Sequence, residues 1–247
     1  MKTKITVLFF ATLLMVVVNS CKKEEKEEKP VIETGTVKDV SGNVYATVKI
    51  GNQWWMAEDL RVTKYRDSSF ITLVPGPPDA TWANYTTGAY TNNTDNGGNV
   101  IGRFYNYYAI TDIRGIAPAG WHIPSDAEWQ ELERTLGMSQ DNLDNTGWRG
   151  SHEAEKLKVM NGTTLGWAEY GTIWPTNETG FSALAGGCRM FTGSWGDPGQ
   201  YHTGFWWTRT EQSANEAWYR HLDYKNANVF RYFGSKNYGF SVRCVKD

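Results

Sequence analysis

The sequence predicts an α+β domain built on an antiparallel sheet, and two observations carry that reading. Helical spacing ends by Val159, with Trp129, Leu132 and Leu136 on one helix face, while period-two alternation dominates the end. Aromatic residues are abundant, with 12 Trp, 13 Tyr and 10 Phe among 247 residues, and 25 Gly accompany them. That mixture suits short strands joined by turns and irregular loops.

Lys2 and Lys4 give a positive start, and Ile5 to Val18 is an apolar run broken by Thr6, Ala11 and Thr12. A membrane span needs about 20 apolar residues, so residues 1–20 read as a signal peptide. Val18-Asn19-Ser20-Cys21 reads as a lipoprotein signal, with small Ser20 before the cut and Cys21 as the lipidated residue. Acyl chains such as palmitate contribute about 0.8 kcal/mol per buried methylene, so two or more hold a protein on a bilayer where one binds marginally. Lys22 to Pro30 holds four lysines, four glutamates and no apolar residue. Residues 21–36 are expected to be the lipidated cysteine and a charged, flexible tether, and 37–247 a single domain.

Within the domain, Ser41-Gly42-Asn43 separates two β-prone runs and predicts a hairpin, with a second turn at Gly51-Asn52 before the aromatic Gln53 to Met56. Residues 66–100, with Pro75, Pro77, Pro78 and the Asn-rich stretch Tyr90 to Asn99, read as loop. Arg103 to Ile110 fits a strand or a short helix. Ser125 and Glu128 form a capping box that opens a helix ending at Gly137. A second helix is expected over Ser151 to Val159 with Ala154 and Leu157 inward. Strands are expected at Phe181 to Leu184, Gly204 to Thr208, Trp218 to Tyr224 and Val229 to Phe233, and Phe240, Val242 and Cys244 should share one face.

These segments resemble the Fibrobacter succinogenes major paralogous domain family. The likeness runs in order through Asp39-Val40-Ser41-Gly42-Asn43-Val44-Tyr45, Thr47 to Leu60, Gly102 to Ala109, Ala117 to Trp129, Asn177 to Leu184, Phe205-Trp206-Trp207-Thr208 and Gly239 to Cys244. Exported, often lipidated proteins are typical of that family. More distantly, Gly120-Trp121-His122-Ile123-Pro124-Ser125-Asp126-Ala127-Glu128-Trp129 and the closing Gly239-Phe240-Ser241-Val242-Arg243-Cys244 look like signatures of formylglycine-generating enzymes. That likeness implies a C-type-lectin-like fold: two helices, an antiparallel-rich sheet and long irregular loops. A lysine-plus-acidic run after the lipidated cysteine also resembles the surface-export signal of Bacteroidota lipoproteins, which implies an outer-membrane, surface-exposed location.

Charge and motifs narrow the function classes. Cleavage before Cys21 would remove Lys2 and Lys4 and no acid, moving the formal charge from −2 to −4, so nothing recommends a nucleic-acid partner. No P-loop, Gly-x-Ser-x-Gly or His-Glu-x-x-His motif occurs, and His122, His152, His202 and His221 lack zinc spacing. The paired copper-binding cysteines of the formylglycine-generating enzymes have no matching motif here, so a noncatalytic protein without catalytic or metal-ligating residues is expected. Cys188 and Cys244 allow one disulfide in an oxidising compartment, against two buried thiols. No cofactor is expected; Asp197-Pro198 and Asn215-Glu216 offer oxygen ligands for a structural calcium ion without forming a recognisable set.

The binding candidate is the Gly-rich loop Phe191 to His202. There Trp195 and Tyr201 could stack on a sugar while Asp197 and Gln200 bond its hydroxyls; alternatively the aromatics fold back into the core. Trp206, Trp207 and Trp218 are expected in the core. The expected role is a lipid-anchored binding or adhesion module, with a glycan or a surface protein as ligand. The competing expectations are a structural surface-assembly component without a small-ligand site, and a degenerate relative of a modifying enzyme.

Overall fold

The computed structural model describes residues 31–76, 80–95, 97–160, 166–196 and 202–247. Cys21, the leader and most of the tether therefore lie outside the described residues, as do Asp197, Gln200 and Tyr201. Twelve strands are described: β1 (Thr34–Lys38), β2 (Val44–Ile50), β3 (Gln53–Met56), β4 (Thr72–Leu73), β5 (Ala89–Thr94), β6 (Val100–Tyr105), β7 (Trp121–His122), β8 (Gly147–Arg149), β9 (Thr203–Glu211), β10 (Glu216–Asp223), β11 (Val229–Ser235) and β12 (Val245–Lys246). Four helices accompany them: α1 (Tyr107–Thr111), α2 (Asp126–Thr135), α3 (Gln140–Leu143) and α4 (Glu153–Leu157). A 3-10 turn covers Ala80–Asn84. The chain is an α+β protein in which nearly every strand pair is antiparallel, and β4–β5 is the parallel pair.

The strands form three sheets, ordered β1-β2-β3-β12-β7, β8-β11-β10-β9 and β4-β5-β6. Both expected hairpins are present: β1 pairs with β2 across Asp39–Asn43, and β2 pairs with β3 across Gly51-Asn52. Gly42 and Gly51 have φ of 91° and 59°, left-handed values that glycine adopts without a Cβ clash. β1 begins at Thr34, ahead of the expected domain start at 37, so the last part of the expected tether is strand. Ile32–Asp247 forms one compact unit.

The helix at Ser125 is capped as its sequence requires. Ser125 Oγ accepts from the Glu128 amide at 3.2 Å, and Glu128 Oε2 accepts from the Ser125 amide at 2.7 Å. Trp129 and Leu132 on its inner face join Trp55, Leu157, Phe181, Trp206 and Leu222 in one core cluster. A second cluster gathers Tyr45, Tyr105, Trp207, Phe240, Val242, Cys188 and Cys244.

Four expectations change. Tyr90 to Thr94, read as loop because of its Asn and Thr content, is strand β5, paired in register with β6 from Tyr90↔Tyr105 onward. Ladder pairing there overrides the poor strand propensity of asparagine. Phe181 to Leu184 is not a strand; Ala183 makes an isolated parallel bridge to Lys158. Arg103 to Ile110 is both alternatives in turn, β6 running to Tyr105 and α1 starting at Tyr107 behind an Asn106 cap. The two expected helices, α2 and a shortened α4, are joined by the single turns α1 and α3.

Candidate functional site

Side chains alternate across a strand, so the sheet β8-β11-β10-β9 has two chemically distinct faces. On the inner face, Arg149, Arg220 and Arg231 point at helix α2. Glu133 receives Arg149 Nη2 at 2.8 Å and Arg220 Nε at 2.6 Å. Asp126 receives Arg220 Nη1 at 2.6 Å and Arg231 Nη2 at 2.7 Å. Burial works against an ionised Asp126, yet the bonds from Arg231 and Arg220 hold its pKa below the ordinary carboxylate value. Trp218, expected in the core, is half-buried with Arg231 stacked on its ring at 3.8 Å. Trp206 and Trp207 are buried as expected.

The outer face is aromatic. The register Trp148↔Phe230↔His221↔Phe205 lays one row of rings across all four strands, and Tyr232↔Tyr219↔Trp207 lays a second beside it. Neighbouring rings touch: His221 stacks on Phe205 at 4.2 Å, and Trp148 meets Phe230 at 5.0 Å and His221 at 5.2 Å. At the β9 side this face is covered, because Phe240 packs on Trp207 at 4.5 Å and Tyr107 closes over it at 5.4 Å. Towards β8 and β11 it opens, leaving Trp148 40% and Tyr232 41% exposed. Phe191, exposed as well, meets Tyr238 at 5.3 Å, and Tyr238 stacks on Phe240 at 5.0 Å on the covered side.

Polar atoms punctuate the rings. His221 Nε2 is buried and makes no hydrogen bond to any described residue. Burial pushes the imidazole pKa down to about 3, so the ring is neutral at neutral pH. Burial also raises the Tyr219 hydroxyl well above its usual value, keeping it a neutral donor.

The loop singled out in the sequence is only partly described. Trp195 is 44% exposed and meets Phe104 edge-on at 6.1 Å, so it stays at the surface. Its backbone is fixed by a bridge to Arg189. Its expected partners Asp197, Gln200 and Tyr201 lie outside the described residues. Cys188 and Cys244 belong to the same core cluster, both buried, and the structure draws no disulfide between them. Burial raises the Cys244 thiol pKa far above its usual value.

Among the described residues, no three His, Cys, Asp or Glu side chains gather as a metal site. His122 lies between two carboxylates, Glu128 Oε1 at 2.7 Å and Asp247 Oδ1 at 2.6 Å. Burial disfavours its charge, but those bonds win and raise its pKa. His152 pairs with Glu155 at 2.6 Å. Asn215 and Glu216 sit where β10 begins, and Asp197-Pro198 lies outside the described residues.

Among the described residues, cavities flank the sheets, and two of them are well defined. One, of about 290 Å³, is lined by Arg66, Asp112, His122 and Arg209 over an isoleucine floor. The other, of about 490 Å³, opens between the β2–β3 region, the start of β6 and the Ser182–Leu184 segment, with Asp59 in its wall.

The open aromatic rows were only half legible in the sequence. Alternation in Trp218 to Tyr224 and Val229 to Phe233 marked the strands, but β8, three residues long, gave no signal, and it supplies Trp148. No helix among the described residues is long and apolar enough to cross a membrane. No curated protein matches the chain. No solved structure matches it either. A family profile does match, that of the Fibrobacter succinogenes major domain, over residues 48–246. The match runs from the end of β2 through β12 and covers most of the chain, so the chain belongs to the Fibrobacter succinogenes major domain family.

Proposed function

We propose that this protein is a lipid-anchored, noncatalytic binding module that holds a glycan on the outer face of its four-stranded sheet. The observation that carries this reading is the open end of the aromatic rows, where Trp148 and Tyr232 remain about two-fifths exposed beside Phe230 and His221. A sugar ring has an apolar face of weakly positive C–H groups, which suits the negative face of an aromatic ring. An exposed aromatic patch rimmed by hydroxyls and a neutral imidazole is also the usual make-up of an interaction site. Trp195 belongs to the same reading as an outlying aromatic contact. A C-type-lectin-like arrangement is part of the proposal, supported by the α+β architecture with its antiparallel sheets and irregular connections.

The anchor is proposed from Cys21 and its apolar leader, and the charged tether supports a place on the outer surface of an outer membrane. Labelling cells with an alkyne fatty acid tests it: the native chain takes label and Cys21→Ala does not, while equal labelling of both would overturn the anchor. A glycan array with detergent-solubilised protein tests the binding face. Signals are expected for the native chain, strongly reduced in Trp148→Ala and less reduced in Trp195→Ala.

A further inference from the structure

We propose that the cavity of about 490 Å³ beside Asp59 is a separate binding site, which receives the hydroxyl groups of a neutral sugar residue. Asp59 is 2% exposed, a degree of burial at which a carboxylate needs its lone pairs matched. Its Oδ1 takes two donors, Trp206 Nε1 at 3.0 Å and Arg243 Nε at 2.8 Å. Its Oδ2 takes none from any described residue, and Asp59 lines the cavity. One oxygen is thus anchored and the other is left as an acceptor.

The wall behind that oxygen is built to stay in place. Arg243 is fully buried, and besides Asp59 it donates to the carbonyls of Phe181 and Ser182. Ser182 has φ of 55°, a left-handed value costly for a residue with a Cβ. It is held there by Asn177, whose Oδ1 accepts from the Ser182 amide at 2.8 Å and whose Nδ2 donates to Ser182 Oγ at 2.9 Å. Those bonds hold Ser182 in the lining of the cavity, which Leu184, Val100 and Ile101 share.

Charge selects the class of ligand. The cavity carries two carboxylates, Glu58 and Asp59, and each already faces a guanidinium, Arg61 at 2.7 Å and Arg243 at 2.8 Å. An ammonium ligand would therefore enter a site whose carboxylates are already matched. A hydroxyl needs only the open lone pairs of Oδ2, and charge-assisted bonds of that kind are strong for their size. The aliphatic walls of Ala57, Val100, Ile101 and Leu184 suit the C–H faces of a pyranose. The volume falls within the usual range for small-ligand sites, roughly 300–1,000 Å³.

The test is amide chemical-shift mapping on the full-length chain in detergent, titrated with methyl glucoside, methyl galactoside, methyl mannoside and, as a cationic comparison, butylammonium chloride. At least one glycoside should give saturable shifts centred on Ile101, Ser182 and Leu184. Asp59→Asn should weaken that binding by about tenfold, the scale of one charge-assisted hydrogen bond. Because Asp59→Asn also touches buried Arg243, Val100→Trp at the exposed rim provides a blocking variant that leaves the carboxylate intact. Trp148→Ala should leave these shifts unchanged, which separates this site from the aromatic face. No saturable shift with any glycoside, tighter binding of butylammonium, or undiminished binding by both Asp59→Asn and Val100→Trp would overturn the proposal.

Discussion

The two faces of the sheet β8-β11-β10-β9 solve opposite problems with the same strands. The inner face buries three arginines against Asp126 and Glu133 of α2 and leaves hardly any of their surface in water. The outer face carries aromatic rings, which need no partners, and leaves several of them half-exposed. A buried ion network contributes little net stability compared with a hydrophobic isostere, because desolvation offsets the attraction. What it does provide is geometry, since each guanidinium is fixed by two or more bonds. The rigid inner face thus sets the spacing of the rings on the outer one, and a binding surface benefits from rings already in position.

Removing one inner carboxylate breaks this contrast most severely. Glu133→Gln leaves Arg149 buried without its counter-charge and Arg220 with Asp126 alone, and urea unfolding should show a loss of about 3–5 kcal/mol. A loss below 1 kcal/mol would mean that the network is not as closed as its distances indicate.

The next effect belongs to the outer face and depends on pH. His221 has its pKa depressed by burial to about 3, against 6.5 for the free side chain. Below pH 6.5 the unfolded chain therefore takes up a proton that the folded chain refuses, and stability falls with pH through that window. Between pH 7.5 and 5 this one residue should cost about 2 kcal/mol. In His221→Phe that part of the acid sensitivity should vanish, and unfolding curves at the two pH values measure it. His122 runs the other way. Its raised pKa stabilises the fold below pH 6.5, and that contribution is lost as pH rises through the folded value.

The two faces also show what a sequence makes legible. The capping box, both hairpin turns and the strands β10 and β11 are local patterns, and the chain folds as they indicate. Strand β5 is not local in this sense: Asn92 and Asn93 look like loop residues until β6 lies beside them. Apart from Arg149 and Glu133, 16 positions apart, the inner ion network pairs residues 87 to 105 positions apart, so no local spacing announces it. Asp59 is similar, because its buried partners Trp206 and Arg243 come from the far end of the chain. On the candidate loop, sequence reasoning picked out Trp195, which is indeed exposed. It passed over Trp148, whose short strand has meaning only next to Phe230.

The smallest expected effect on stability is also the most informative for function. Trp148→Ala combined with Tyr232→Ala removes two exposed rings and should cost only about 1 kcal/mol, since neither is enclosed. Glycan-array binding and urea unfolding of that double variant, measured side by side with the native chain, test the central claim most directly. The expected result is a nearly unchanged unfolding midpoint with the glycan signal strongly reduced. Native-level glycan binding by the double variant, or no glycan signal from the native chain, would contradict the assignment of the outer aromatic face as the binding surface.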